Sequence, residues 1–386
     1  MTDFARLGRL TAELDPPFAA VDLGAFRRNA SDLVRRAGQM PIRVAAKSVR
    51  CRALIDEALA TDGFHGAMSY ALPEAIWLAR GGVDDVLMGY PTVHREALHE
   101  LGADPELASR ITLMVDDAAQ LEIAKAAAGR GAARLQVCLD VDASLRVFGQ
   151  HLGVRRSPLR TPEQVVALAR TVAGDDAFEL VGVMFYEAQI AGLPDTSPAV
   201  RWVKRRSAAE LADRRGAVVD AVKQVAPITL VNSGGSGSIE ISRADAAVTE
   251  VTAGSGLFGP TLFDRYDVFR PEPAVAYAVS VVRRPARGIV TLFSGGYVAS
   301  GPAAKSRLPK PAFPARLKLL GTEGAGEVQT PVRGPDADGL RIGDRVWMRY
   351  AKAGEMCERF DLLHLVDEDG SVRAVPTYRG EGKAFG

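Results

Sequence analysis

The chain has 386 residues, 25% of them charged, and its 48 Lys+Arg against 47 Asp+Glu leave a formal net charge of +1. That length accommodates two domains, one of which can be a large barrel. The balanced charge leaves no basic surplus to hold a nucleic-acid backbone and no block of like charge to form a tail. Cys51, Cys138 and Cys357 lie far apart, which argues against a disulfide framework and suits a reducing cytosol. No apolar run approaches the length of a membrane span, and MTDFARLGRLTAELDPP carries no signal-peptide core. The expectation is a cytoplasmic globular protein.

Residues 1–18 precede the first barrel helix, read at 23–38 after AAVDL, and are candidates to join a second domain. Short apolar, β-branched runs then alternate with helical patterns. Strands are read at 42–47 (IRVAAK), 64–68, 85–89, 111–115, 134–140, 179–184, 228–232 and 247–252. Most are continuously apolar, as parallel strands covered on both faces are. Between them CRALIDEALATDG (51–63) has Leu54, Ile55 and Leu59 at helical spacing. LPEAIWLARGG (72–82) starts near a proline and stops at two glycines. TPEQVVALARTVAG (161–174) opens on a threonine cap position close to the capping-box pattern, and 201–225 is a long charged helix. Eight such units over about 250 residues match a (β/α)8 TIM barrel, here residues 19–270. An open doubly wound sheet is the other reading, but no glycine fingerprint follows the first strand. From 271 to 386 the texture changes to short strands with glycine turns, which predicts a smaller all-β domain, with 306–316 an ordered loop.

Barrel chemistry collects at the carboxyl ends of the strands. Lys47 closes strand one. Burying an unpaired ammonium costs several kcal/mol, so such a lysine is paired, extends its head to solvent, or is chemically used. NSGGSGSIE (232–240) follows strand seven and opens a helix, and TAGSGLFG (252–259) follows strand eight. Small residues let backbone amides approach an anion, and barrel phosphate sites favour these two loops. A lysine facing a phosphate cradle points to pyridoxal 5′-phosphate.

These stretches carry a family resemblance: AAVDLGAFRRNA, RVAAKS, LDVDASLRVFG, VMFYEAQIAG, NSGGSGS and TAGSGLFGPTLFD, in this order and spacing. The chain resembles the fold-type III pyridoxal-phosphate enzymes, the group of alanine racemase, D-threonine aldolase and D-serine dehydratase, with the aldolase/dehydratase branch the nearer. The resemblance covers barrel and β domain alike. It implies Lys47 as the Schiff-base lysine and base at Cα, and Arg146 on the cofactor's ring hydroxyl. It implies Tyr186 against the pyridine ring and Gln189 toward the substrate. Ser233, Gly234, Gly235 and Ser236 would cradle the phosphate with Gly254 and Ser255. Relatives form dimers, so a homodimer is expected.

The aldolase/dehydratase branch often carries a metal pair, a histidine two residues before a cysteine or aspartate. Here AKAGEMCERFD (351–361) offers Glu355 and Cys357. Carboxylate plus thiolate is a donor set that zinc accepts, and a surface glutamate with a structural cysteine is the alternative. His364 lies nearby in a strand-like run. The implied activity is that of a lyase on a D-3-hydroxy amino acid, by dehydration and deamination or by aldol cleavage. Glu187 is a candidate acid or base by adjacency to Tyr186. Racemisation is the rival, needing a second base for which Tyr297 is available, and a cofactor-binding protein without turnover is the other.

Overall fold

In the computed structural model, which describes residues 2–386, eight parallel strands close into a barrel. They are Ile42–Ala45, Phe64–Ser69, Val86–Pro91, Ile111–Val115, Leu135–Asp140, Phe178–Phe185, Leu230–Ser233 and Glu250–Ala253, counted one to eight below. Strand one closes on strand eight, with Ile42, Arg43 and Val44 opposite Val251, Thr252 and Ala253. Strands one, four and eight are buried along their whole length, as parallel strands covered on both faces are, although strands one and eight carry Arg43 and Glu250 among their apolar residues. Strand one stops two residues before the sequence suggests, because Ala46–Ser48 turns into a short 3₁₀ segment that carries Lys47.

The intervening helices are punctuated locally. Thr161 and Gln164 form a reciprocal cap at the start of Pro162–Ala173, and Asp117 with Gln120 does the same for Ala118–Ala128. The alanine-rich second helix has little amphipathic contrast, so its cap is its clearest sequence mark. Among the described residues no helix is long and apolar enough to cross a membrane.

The barrel interior is not wholly apolar. Arg43, only 2% exposed at its side chain, donates through Nε and Nη2 to Glu250 at 2.7 and 2.9 Å and through Nη1 and Nη2 to Asp85 at 2.8 and 2.9 Å. Glu250 also accepts from Asn232 Nδ2 at 2.7 Å and lies 2.9 Å from His65 Nε2. Burial pushes the Glu250 carboxyl up, but His65, Arg43 and Asn232 outweigh it and hold it at about 2, below an ordinary 4.5. A carboxyl depressed in the folded state stabilises the fold fully above its unfolded pKa, and that stabilisation is lost as pH falls through the folded value. The window is therefore pH 4.5 down to about 2, and the amount is roughly 3 kcal/mol. Urea midpoints recorded across this window are expected to fall more steeply in the native protein than in Glu250→Gln. Parallel profiles would refute the assignment.

The chain divides into two compact units, one of residues 33–47, 59–253 and 385–386, the other of 2–32, 48–58 and 254–384. The first contains the barrel strands. The second is built on a nine-stranded, mostly antiparallel sheet. Its long strand Val275–Ala286 pairs antiparallel with Phe18–Asp22 and Arg345–Arg349, and Phe18–Asp22 runs parallel to Leu362–Val366. The expected loop at 306–316 supplies a further strand, Lys310–Phe313, at the edge. Helix Phe4–Leu10, capped by Asp3, contributes Leu7 to a core with Phe18, Ala276, Ala278 and Trp347. Phe18 meets Trp347 edge-on with centroids 5.6 Å apart. AAVDL, read from sequence as the entrance to the barrel at residue 19, thus lies in a strand of this second sheet. Its fully buried pattern fits an internal strand of either sheet, so pairing partners decide.

Candidate active site

The carboxyl ends of the barrel strands bring together Lys47, Tyr90, Arg156 and Tyr186. Lys47 Nζ is hydrogen-bonded to Tyr90 Oη and stands 5.0 Å from the centroid of the Tyr90 ring. The Arg156 guanidinium carbon lies 5.2 Å from the centroids of both Tyr90 and Tyr186, within the range of cation–π attraction. The two phenols respond differently. Burial pushes Tyr90 up, but Lys47 and Arg156 outweigh it and leave the phenol below its ordinary value. At Tyr186 burial wins over the same two cations, and the phenol rises. Ser69 Oγ, at the end of strand two, is buried with no hydrogen-bond partner. Gly235 sits where a side chain would be crowded, since a Cβ there would stand 3.0 Å from Ala191 Cβ and 3.7 Å from the Tyr186 ring. An amine at a strand end, an unpaired buried hydroxyl, a stacked aromatic and a glycine-lined approach fit an aldehyde-bearing aromatic ring with an anionic arm.

The glycine loop after strand seven is organised from below by Glu187, which is 1% exposed. Its carboxylate accepts from Ser233 Oγ at 2.9 Å, Gly234 N at 3.2 Å, Ser238 Oγ at 2.9 Å and Ser242 Oγ at 2.8 Å. Arg215 donates to Ser233 Oγ at 2.8 Å, pairs with Asp245 and approaches Glu187 to 3.9 Å. This corrects two expectations. Glu187 is enclosed by the loop's own donors rather than presented as an acid or base. The Ser233 hydroxyl and the Gly234 N–H are given to that carboxylate, not held out toward a phosphate. Ser236 stays in the loop, buried, with its carbonyl accepting from Arg36 at 2.8 Å. Gly254 and Ser255 follow strand eight directly and belong to the second unit.

Arg146 sits on the hairpin Leu145–Val147/Gln150–Leu152, with its side chain 55% exposed and paired to Asp142 at 3.2 Å. Arg156 occupies the stacked position instead. VRRSP (154–158) belongs to no strand end, so its sequence position does not mark Arg156 as part of the site. The doubled arginine just after the hairpin is the one available signal. Gln189 is buried, donating from Nε2 to Ala143 O at 2.7 Å. Its Oε1 is buried without a partner, 2.9 Å from where a Cβ of Gly153 would lie. Gln189 thus ties the segment after strand six to the strand-five loop. A small pocket is lined by Asp140, Asp142, Arg156, Ser157 and Tyr186 among others. In it, burial and the neighbouring Asp116 push the Asp140 carboxyl up to about 7, against the pull of Arg156.

The remaining candidates lie in the second unit. Tyr297 shares a hydrogen bond of 2.9 Å with Ser294 and packs against Tyr277 and Phe360, with Arg359 5.7 Å from its ring centroid. Glu355 accepts from Ser300 N at 2.8 Å and from the Ser300 hydroxyl and lies near Lys352. Cys357 Sγ donates to Val49 O at 3.3 Å, and burial pushes its thiol well up. Zinc takes the thiolate, so a buried, protonated, hydrogen-bonded thiol beside an engaged carboxylate does not fit a metal pair. Among the described residues no group of three or more His, Cys, Asp or Glu is arranged to hold an ion. His364 lies in the strand Leu362–Val366 with its ring edge-on to Phe18, and burial lowers its pKa.

The sequence profile of the alanine racemase N-terminal domain matches residues 21–261. The 3-hydroxy-D-aspartate aldolase of Paracoccus denitrificans (strain Pd 1222) is 26% identical over 254 residues. That match spans 64% of this chain and 61% of the relative, so about three-fifths of the curated protein is covered. Among solved structures, D-threonine aldolase from Filomicrobium marinum superposes with a TM-score of 0.81 at 21% identity, covering 96% of each chain. D-threo-3-hydroxyaspartate dehydratase from Delftia sp. HT23 gives 0.72 at 21% identity, over 95% of this chain and 98% of that one. These likenesses establish the shared architecture of barrel and β unit.

Proposed function

We propose that this chain, which belongs to the alanine racemase N-terminal domain family, is a pyridoxal 5′-phosphate-dependent lyase acting on a D-3-hydroxy amino acid. The observation that carries the proposal is Lys47 at the end of strand one, its amine on Tyr90 and within a cluster of two tyrosines and Arg156. The relative named 3-hydroxy-D-aspartate aldolase supports the substrate class.

Pyridoxal phosphate, when bound, supplies an electron-withdrawing ring that lowers the barrier to breaking bonds at Cα. The chain's residues do the rest. Lys47 would hold the cofactor covalently, and its amine would be placed to move a proton at Cα. Arg156, fixed over both tyrosine rings, would offer the bound ring a cation, the role that the resemblance implies for Arg146. Tyr186, a neutral phenol, would pack the ring's face, with Gly235 close beside it. Gly235 and Ser236 would hold the anionic arm, while Glu187 fixes the loop's shape. Asp140, poised near 7, holds or releases a proton at neutral pH. Glu355, held by Ser300, and Cys357, on the Val49 carbonyl, are not disposed to share a metal ion.

The test is to incubate the holoenzyme with D-threonine, D-serine and D-threo-3-hydroxyaspartate, assaying three products separately. Aldehyde with glycine, or 2-oxo acid with ammonia, is the expected result. Accumulation of the opposite enantiomer alone would replace lyase by racemase. No product from any of these substrates would refute the proposal.

A further inference from the structure

Two tyrosines flank Arg156, and Tyr90 is also hydrogen-bonded to Lys47. Tyr90 is the next-to-last residue of strand three, Val86–Pro91. The preceding Gly89 lies against strand two, where a Cβ would stand 3.0 Å from Met68 Sδ, so strands two and three approach closely just below the ring. The register of strand three shifts between Leu87 and Pro91 relative to strand four. The outcome is a phenol whose oxygen is hydrogen-bonded to Lys47 Nζ while Arg156 covers its ring.

We infer that Tyr90 is the proton partner of Lys47, a positioning residue whose phenolate takes a proton from Nζ and so frees the amine. The inference rests on the reading of Lys47 as the cofactor-holding residue. Charge and atoms balance within the pair: ammonium and phenolate become amine and phenol, one proton crosses one hydrogen bond, and the nitrogen keeps its lone pair. The transfer removes one positive and one negative charge together from a partly buried site, so the net charge of the cluster does not change. Arg156 stays cationic and stabilises the phenolate beforehand. The charged and titratable groups facing Tyr90 are Lys47 from the end of strand one and Arg156 from the segment after the hairpin, with Tyr186 beyond Arg156. Tyr186 is excluded from the same role because burial keeps it a neutral phenol.

Two measurements on full-length protein test this. First, an ultraviolet difference titration of cofactor-free protein is expected to show one phenol ionising ahead of the others. Tyr90→Phe should remove that early phenol, Lys47→Met should move it upward, and Tyr186→Phe should leave it in place. An early phenol that persists in Tyr90→Phe overturns the inference. Second, the rate of borohydride-trappable attachment of pyridoxal phosphate at Lys47 is followed against pH. Tyr90→Phe is expected to slow attachment roughly a hundredfold near neutrality, with recovery as pH rises and water alone takes the proton. Slowing by one factor at every pH would mark a merely structural tyrosine and overturn the inference, as would no slowing. If the native protein traps no cofactor at Lys47, the cofactor reading fails while the phenol titration still judges the pair.

Discussion

Lys47→Ala is expected to end turnover while leaving the fold in place. The side chain is only partly buried, and its removal takes away one hydrogen bond to Tyr90, so stability is expected to change by about 1 kcal/mol. Catalysis loses far more. Moving a proton at Cα with a placed amine contributes roughly 10²–10⁴-fold, and the covalent hold on the cofactor disappears as well. Comparing kcat/KM with the native enzyme, and mapping borohydride-reduced peptides of both, measures the two losses separately. A variant retaining activity within tenfold of native, or native protein labelled at a different lysine, would remove the foundation of the proposed chemistry.

Glu187→Ala is expected to be the most damaging substitution for the glycine loop proposed to receive the anionic arm. It strips the acceptor from Ser233, Gly234, Ser238 and Ser242 at once and leaves buried Arg215 with Asp245 as its remaining carboxylate. Removing one member of such a buried charged network costs about 3–5 kcal/mol, because the donors left behind are desolvated without partners. The melting temperature and the affinity for pyridoxal phosphate are expected to fall together, and Glu187→Gln, which keeps the shape and one acceptor oxygen, is expected to restore part of both. A catalytic acid or base behaves otherwise, losing kcat with stability and cofactor affinity intact. That pattern would return Glu187 to the role its neighbour Tyr186 first suggested.

Several features were legible before any coordinates because their causes are local. Strands covered by helices on both faces are written as apolar runs, and the runs near 42, 64, 85 and 111 begin and end within two residues of the observed strands. Helix starts announce themselves through residues three apart, as at Thr161 and Gln164. Lys47 stood out because an ammonium at the end of such a run is chemically anomalous, and the glycine loop after the seventh strand because small residues cluster there.

What the sequence concealed depends on partners distant along the chain. Glu187 reads as a catalytic carboxylate beside Tyr186, yet its four donors come from residues 46 to 55 positions later, and nothing near 187 announces them. Arg146 is the arginine the motif places at the mouth, and Arg156 lies ten residues further on. Only the course of the hairpin places one between two rings and leaves the other paired at the surface. AAVDL carries an apolar pattern that either sheet accepts, and its hydrogen bonds to residues 275–278 and 363–366 assign it. Glu355 and Cys357 have the spacing of a ligand pair, but a spacing does not say whether a thiol is exposed and ionised or buried on a carbonyl. Periodicity and backbone chemistry act over a few residues and survive in the linear order. Hydrogen-bond partners, burial and the field at a titrating group are set by which distant segments meet, and the folded chain alone decides that.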